Sequence, residues 1–273
     1  MADAKNQNRP IGIFDSGVGG LTVMAEVIRM LPHENIVYFG DVGRSPYGVR
    51  SKETIINLTR QDINFLLEHK VKYIIAACNS ASAVALETVK EEYDIDILGV
   101  IVPGAKAAIN YTRNNRVGII GTVATIGSDS YAKEIQKHND KVKVFSLACP
   151  LFVSLVEEGY IEKEATALIA RDYLKTLIDV DIDTLVLGCT HYPLLKNVIG
   201  KVMGEKVKLV DSAEETAREA SAILEKKGIK RLSSGDVTHK LYVSDVPDKF
   251  SDLVRQFLGY KINNITRVDI TRY

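Results

Sequence analysis

Eight short apolar runs, separated by helical patterns, constrain this chain more than any other feature. The first four are IGIFD (11–15), NIVYFGD (35–41), KYIIAAC (72–78) and DILGVIV (96–102). The next four are RVGIIGT (116–122), KVKVFSL (141–147), DTLVLGC (183–189) and KVKLVDS (206–212). Near-continuous apolar strands alternating with helices belong to parallel sheets covered by helices on both faces. Aligning the two series by strand ends pairs Asp15 with Thr122, Cys78 with Cys189 and Val102 with Asp211, at offsets of 107, 111 and 109 residues. This near-constancy predicts an α/β fold of two similar parallel-sheet domains with related topology. The boundary falls near Pro103-Gly104, so residues 1–102 with 213–273 form the first domain and 103–212 the second. The closing stretch carries a helical pattern (EETAREASAILEKKG), a strand-like KLYVSD, a second helix (DKFSDLVRQFLG, from Asp248) and an edge-like TRVDITRY, and is expected to pack against one half.

Charge removes whole classes of partner. Lys plus Arg and Asp plus Glu both number 35, so the net charge is zero and no basic block is built to follow a row of phosphates. Nucleic acid is therefore excluded as the main partner, and a charged substrate has to be met by a local site. No apolar run reaches the roughly 18 residues of a membrane span, and the polar first ten residues lack a signal peptide's apolar stretch. Three cysteines, Cys78, Cys149 and Cys189, form no disulfide framework and no zinc-site spacing. The expectation is a cytoplasmic protein in a reducing compartment, with no membrane partner and no metal.

The first strand runs into D-S-G-V-G-G-L-T (15–22), which approaches a dinucleotide fingerprint but places Thr22 where the third glycine is needed. What survives is a tight strand-to-helix turn whose N–H groups can face an anion, with Asp15 and Ser16 at its mouth; a plain capped turn accounts for the same residues. The sharper signals are A-C-N-S-A-S around Cys78 and G-C-T-H-Y-P around Cys189, each directly after a strand. A cysteine there lies near the start of the next helix, where partial positive charge favours thiolate. One such cysteine reads most simply as buried and structural, but two at matched positions can stand on opposite sides of one small ligand. That arrangement suits moving a proton from one face of a carbon to the other. Cys149, unmatched and followed by Pro150, is expected in the core. His33, His69, His138 and His239 are expected at the surface, whereas His191, two residues after Cys189, can tune that thiol.

FDSGVGGLTV, the GD-x-x-R-x-PYG element (40–48), ACNSAS, CPLFVSLVEEG (149–159) and GCTHYPLL, taken in order, resemble the motifs of bacterial glutamate racemases and cover residue 11 to about 211. The resemblance implies two α/β domains facing a central cleft about a pseudo-two-fold axis. It also implies a cytoplasmic, homodimeric isomerase that needs neither pyridoxal phosphate nor metal and supplies D-glutamate for peptidoglycan. Carried over by resemblance, Cys78 and Cys189 are the two bases, assisted by Asp15 and His191, with Glu157 supporting His191. Asp15, Ser16, Pro46, Tyr47, Gly48, Asn79, Ser80, Thr122, Thr190 and His191 match positions lining the pocket for L- or D-glutamate. Ser80 stands where the family usually has Thr and keeps the hydroxyl; Ser45 replaces the usual Cys or Val before PYG. Some members use a long N-terminal extension to receive a cell-wall precursor as activator; Asp15 lies close to the start here, so that activation is not expected. Two other readings stay open on the residues: a racemase of aspartate or another acidic amino acid, and a non-catalytic clamp for a small anion. Closure about the crossings near Val102-Pro103 and Asp211-Ser212 is expected on binding.

Overall fold

The computed structural model describes residues 4–232, 235–246, 250–259 and 265–273. All eight expected strands form: β1 Ile11–Asp15, β2 Ile36–Gly40, β3 Tyr73–Ala76, β4 Ile97–Gly99, β5 Arg116–Gly121, β6 Lys143–Ala148, β7 Thr184–Gly188 and β8 Lys208–Asp211. Two more follow near the end of the chain, β9 His239–Val243 and β10 Ile265–Arg267. Every pairing is parallel. One sheet has the order β10-β9-β2-β1-β3-β4 and the other β6-β5-β7-β8. Shifting β1–β4 onto β5–β8 turns β2-β1-β3-β4 into β6-β5-β7-β8, so the repetition read from strand spacing is a repetition of topology.

Burial follows position in the sheet. The inner strands β1, β2, β3 and β7 are buried along their whole length, which is why their sequences lack the alternation of a half-exposed strand. The edge strands β6 and β8 are partly exposed. One continuous core joins Ile11 and Ile13 of β1 and Val27 of the helix Leu21–Met30 to Ala105, Ala217, Ile119 and Val186 on the second sheet's side. The other face of the first sheet has its own core, built on Phe14, Phe39, Phe65 and Ile74.

One detail departs from the sequence reading. The run expected as a strand over 96–102 is split: β4 ends at Gly99, and a helix spans Ile101–Tyr111. Val102-Pro103 is thus the first turn of a helix, where the missing N–H of Pro103 has no intrahelical partner to lose. This helix packs on β7 and β8 and against the helix Ser130–His138. Asp211-Ser212, the other crossing, passes straight from β8 into the helix Ser212–Lys226, which returns to pack on Leu21–Met30. The closing stretch follows its reading: KLYVSD supplies most of β9, which joins the first sheet beside β2, and β10 lies at the edge. The expected helix from Asp248 is seen over Phe250–Leu258; Asp248 and Lys249 lie outside the described residues.

Candidate active site

The carboxyl ends of the two sheets meet at two junctions. Ser80, just past β3, shares a hydrogen bond with Thr122, just past β5, at 2.9 Å. At the other junction Thr190, just past β7, donates to Asp15 Oδ1 at the end of β1 at 3.5 Å. The offset that carries Cys78 onto Cys189 also carries Asn79 onto Thr190 and Ser80 onto His191. One end of the frame therefore joins two hydroxyls, while the other joins Asp15 to the Thr190-His191 pair.

Close approach of the halves depends on glycine at two places. A Cβ on Gly19 would fall 2.6 Å from His191 Nδ1 and closer still to Thr190 Oγ1, and one on Gly48 would fall 2.6 Å from Thr122 Cβ. Neither neighbour is the free end of a flexible chain. Gly19→Ala is expected to push His191 and Thr190 aside, destabilising the fold by about 1–3 kcal/mol. Thermal unfolding checks it; a wild-type midpoint would show that the gap can relax.

Cys78 caps the short helix Asn79–Val84, its Sγ accepting from Ala81 N and donating to Ser16 Oγ, both at 3.4 Å. The expected thiolate-favouring effect of the helix start is overruled. Burial first, and then the charge of Asp15, push the Cys78 thiol up to about 12. Asp15 is itself fully buried, and its carboxyl is raised by that burial against the pull of His191 and of the N–H groups of Gly20, Gly17 and Ser16. Cys189 follows β7 directly, but the segment after it is a 3₁₀ turn over Tyr192–Leu195. Its Sγ lies 3.8 Å from His191 Nδ1, and His191 Nε2 lies 2.9 Å from Glu157 Oε1. Burial pulls the His191 imidazole down, yet Cys189 and Glu157 together push it up to about 10. The Phe257 ring meets the imidazole edge-on at 5.5 Å.

The two thiols therefore stand in matched positions with unlike neighbours, an acid and a hydroxyl beside Cys78 and a cationic imidazole beside Cys189. Both are enclosed, at 4% and 5% exposure. Of the PYG element, Gly48 abuts Thr122, whereas Pro46 is exposed and the buried Tyr47 hydroxyl lies 2.5 Å from Asp41 Oδ2 and 3.0 Å from Asp62 Oδ2. Cys149 is fully buried, as expected, and its thiol is pushed up to about 12 by that burial. His33 and His138 are exposed. His69 is not a plain surface residue, since it packs against Phe65 and Tyr242, and His239 is half-buried in β9. Tyr131 escaped the sequence reading: it is buried on the second half and receives a hydrogen bond from Asn79 Nδ2 at 2.9 Å. A lone tyrosine in an amphipathic helix carries no local signal of that reach. Among the described residues, no group of three or more His, Cys, Asp or Glu could hold a metal ion, and no helix is long and apolar enough to cross a membrane.

The pattern of the family described as Asp/Glu/Hydantoin racemase matches residues 21–220. The chain belongs to that family. A glutamate racemase of Geobacter metallireducens is 50% identical over 262 residues, covering 96% of this chain and 97% of the relative. Among solved structures, a glutamate racemase of Bacillus anthracis superposes with a TM-score of 0.93 at 41% identity, covering 96% of this chain and 98% of that one. One from Francisella tularensis, in complex with D-glutamate, gives 0.92 at 39%, covering 98% and 100%. The chain is thus an isomerase with the family's two parallel-sheet domains.

Proposed function

We propose that the chain interconverts L- and D-glutamate by a two-base proton transfer between Cys78 and Cys189. The observation that carries this reading is the pair of enclosed thiols at equivalent strand ends of two sheets whose carboxyl ends meet. Glutamate enters from the relatives, whose names give that substrate at up to 50% identity over nearly the whole chain.

One thiolate removes the α-proton while the opposite thiol delivers a proton to the other face, and the roles exchange with direction. The unlike neighbours support an asymmetric starting state. Burial and Asp15 push the Cys78 thiol up, whereas the His191 imidazole, held by Glu157, stands 3.8 Å from the Cys189 sulfur. The carbanion is poorly stabilised by the substrate alone, so fixed hydrogen-bond donors have to meet its developing charge. Ser16, Asn79, Ser80, Thr122 and Thr190 are the side chains assigned to binding, with Pro46, Tyr47 and Gly48 forming one wall. Entry to so closed a site requires the halves, residues 1–102 with 213–273 and residues 103–212, to part and close again. The product serves peptidoglycan synthesis in the cytoplasm, and the working unit is a homodimer.

Purified protein without added cofactor, offered each enantiomer of glutamate and of aspartate, tests the assignment. Loss of optical rotation from both glutamate enantiomers, with aspartate slower by more than about 100-fold, is the expected result, since a shorter side chain forfeits a charged contact. Preference for aspartate would favour the other acidic racemase, and binding without turnover would favour a small-anion clamp.

A further inference from the structure

Asn79, next to Cys78, is 2% exposed, and its Oδ1 is a buried atom without a hydrogen-bond partner. Its amide orientation is imposed from the other half of the molecule. Asn79 Nδ2 donates to the Tyr131 hydroxyl oxygen at 2.9 Å. The Tyr131 ring has little freedom to turn away: a Cβ on Gly104 would lie 3.1 Å from its Cε1, and one on Gly188 would lie 3.2 Å from its Cε2. The Asn79 amide is thus held through its nitrogen, and its carbonyl oxygen is left bare beside Cys78.

A buried amide oxygen without a partner costs about 1–3 kcal/mol unless a ligand supplies a donor. At neutral pH the only N–H or O–H donor on glutamate is its α-ammonium group. We propose that Tyr131 is a positioning residue, orienting Asn79 so that Oδ1 receives the substrate's α-ammonium and holds the α-carbon beside Cys78. The inference rests on the glutamate reading of the site. Tyr131 acts through Asn79 and touches no reacting atom.

The test compares D-glutamate with glutarate, which keeps both carboxylates and lacks the ammonium, by calorimetric binding and competitive inhibition. Tyr131→Phe is expected to weaken D-glutamate binding by about tenfold or more, because a hydrogen bond to a charged group is lost. Glutarate binding should stay within about twofold of wild type. In an Asn79→Ala background Tyr131→Phe should add nothing further, as expected for one pathway. Tyr131→Met, which removes the same acceptor and leaves a flexible apolar chain in the ring's place, should show the same selectivity and serves if Tyr131→Phe does not fold. Equal losses for both ligands, or no loss for either, would overturn the proposal. Wild-type protein that racemises no glutamate would instead overturn the substrate reading, and this inference with it.

Discussion

Cys78→Ala and Cys189→Ala should each lose glutamate racemisation by about 10³-fold or more, since each leaves one face of the α-carbon without a proton carrier. The matched placement makes the two losses comparable in size. Neither change should unfold the protein: each removes a single sulfur from a site already braced by the Ser80–Thr122 and Asp15–Thr190 contacts. Circular dichroism and thermal unfolding separate the two effects. A folded variant keeping full activity at either position would remove the two-base scheme.

The second large effect concerns His191. Its imidazole is raised to about 10 from an ordinary value of 6.5 by Cys189 and Glu157, which outweigh the burial that opposes them. A folded-state value above the unfolded one means the cation is favoured by the fold. That contribution is fully present below about 6.5 and is lost as pH climbs through about 10. His191→Ala should lower kcat/KM by about 10²-fold, the smaller end of what a group serving proton transfer supplies. Glu157→Gln keeps the ring and removes its anionic partner, so the alkaline limb of the pH–rate profile should move to lower pH. An unmoved limb in Glu157→Gln, measured between about pH 6 and 11, would separate Glu157 from the chemistry.

The fold was legible wherever burial had left a chemical mark. Because the inner strands β1, β3 and β7 are buried on both faces, their sequences are continuous apolar runs, and the polar or sulfur-bearing residues ending them mark the site edge. The same rule misled at Ile101-Val102, where an apolar run serves a helix buried against β7 and β8. Periodicity cannot separate the two cases over so short a stretch. The insertion of β9 beside β2 was out of reach, since pairing partners distant in sequence leave no local trace.

At the site, the positions of Cys78, Cys189, Asp15 and His191 followed from spacing and resemblance, but the electrostatics at Cys78 did not. A helix start favours the thiolate only modestly, and full burial next to Asp15 works the other way more strongly. Depth of burial is a tertiary quantity. Tyr47 shows the same limit: its sequence context marks a turn, whereas its hydroxyl is held between the buried carboxylates Asp41 and Asp62. Tyr131 reaches Asn79 across the two halves, 52 positions along the chain, and no motif announces such a contact.

The central claim is that two different groups serve the two faces of one carbon, and isotope exchange at early times tests it most directly. L-Glutamate is incubated with the protein in deuterated water, the reaction is stopped within a few per cent of conversion, and the α-hydrogen of each enantiomer is read by mass spectrometry after chiral separation. Two bases predict D-glutamate carrying deuterium at the α-carbon while the remaining L-glutamate is still protiated, because the proton removed by one cysteine is not the one delivered by the other. A single shuttling group would return the original proton to the product or label both enantiomers alike, and that result would contradict the account.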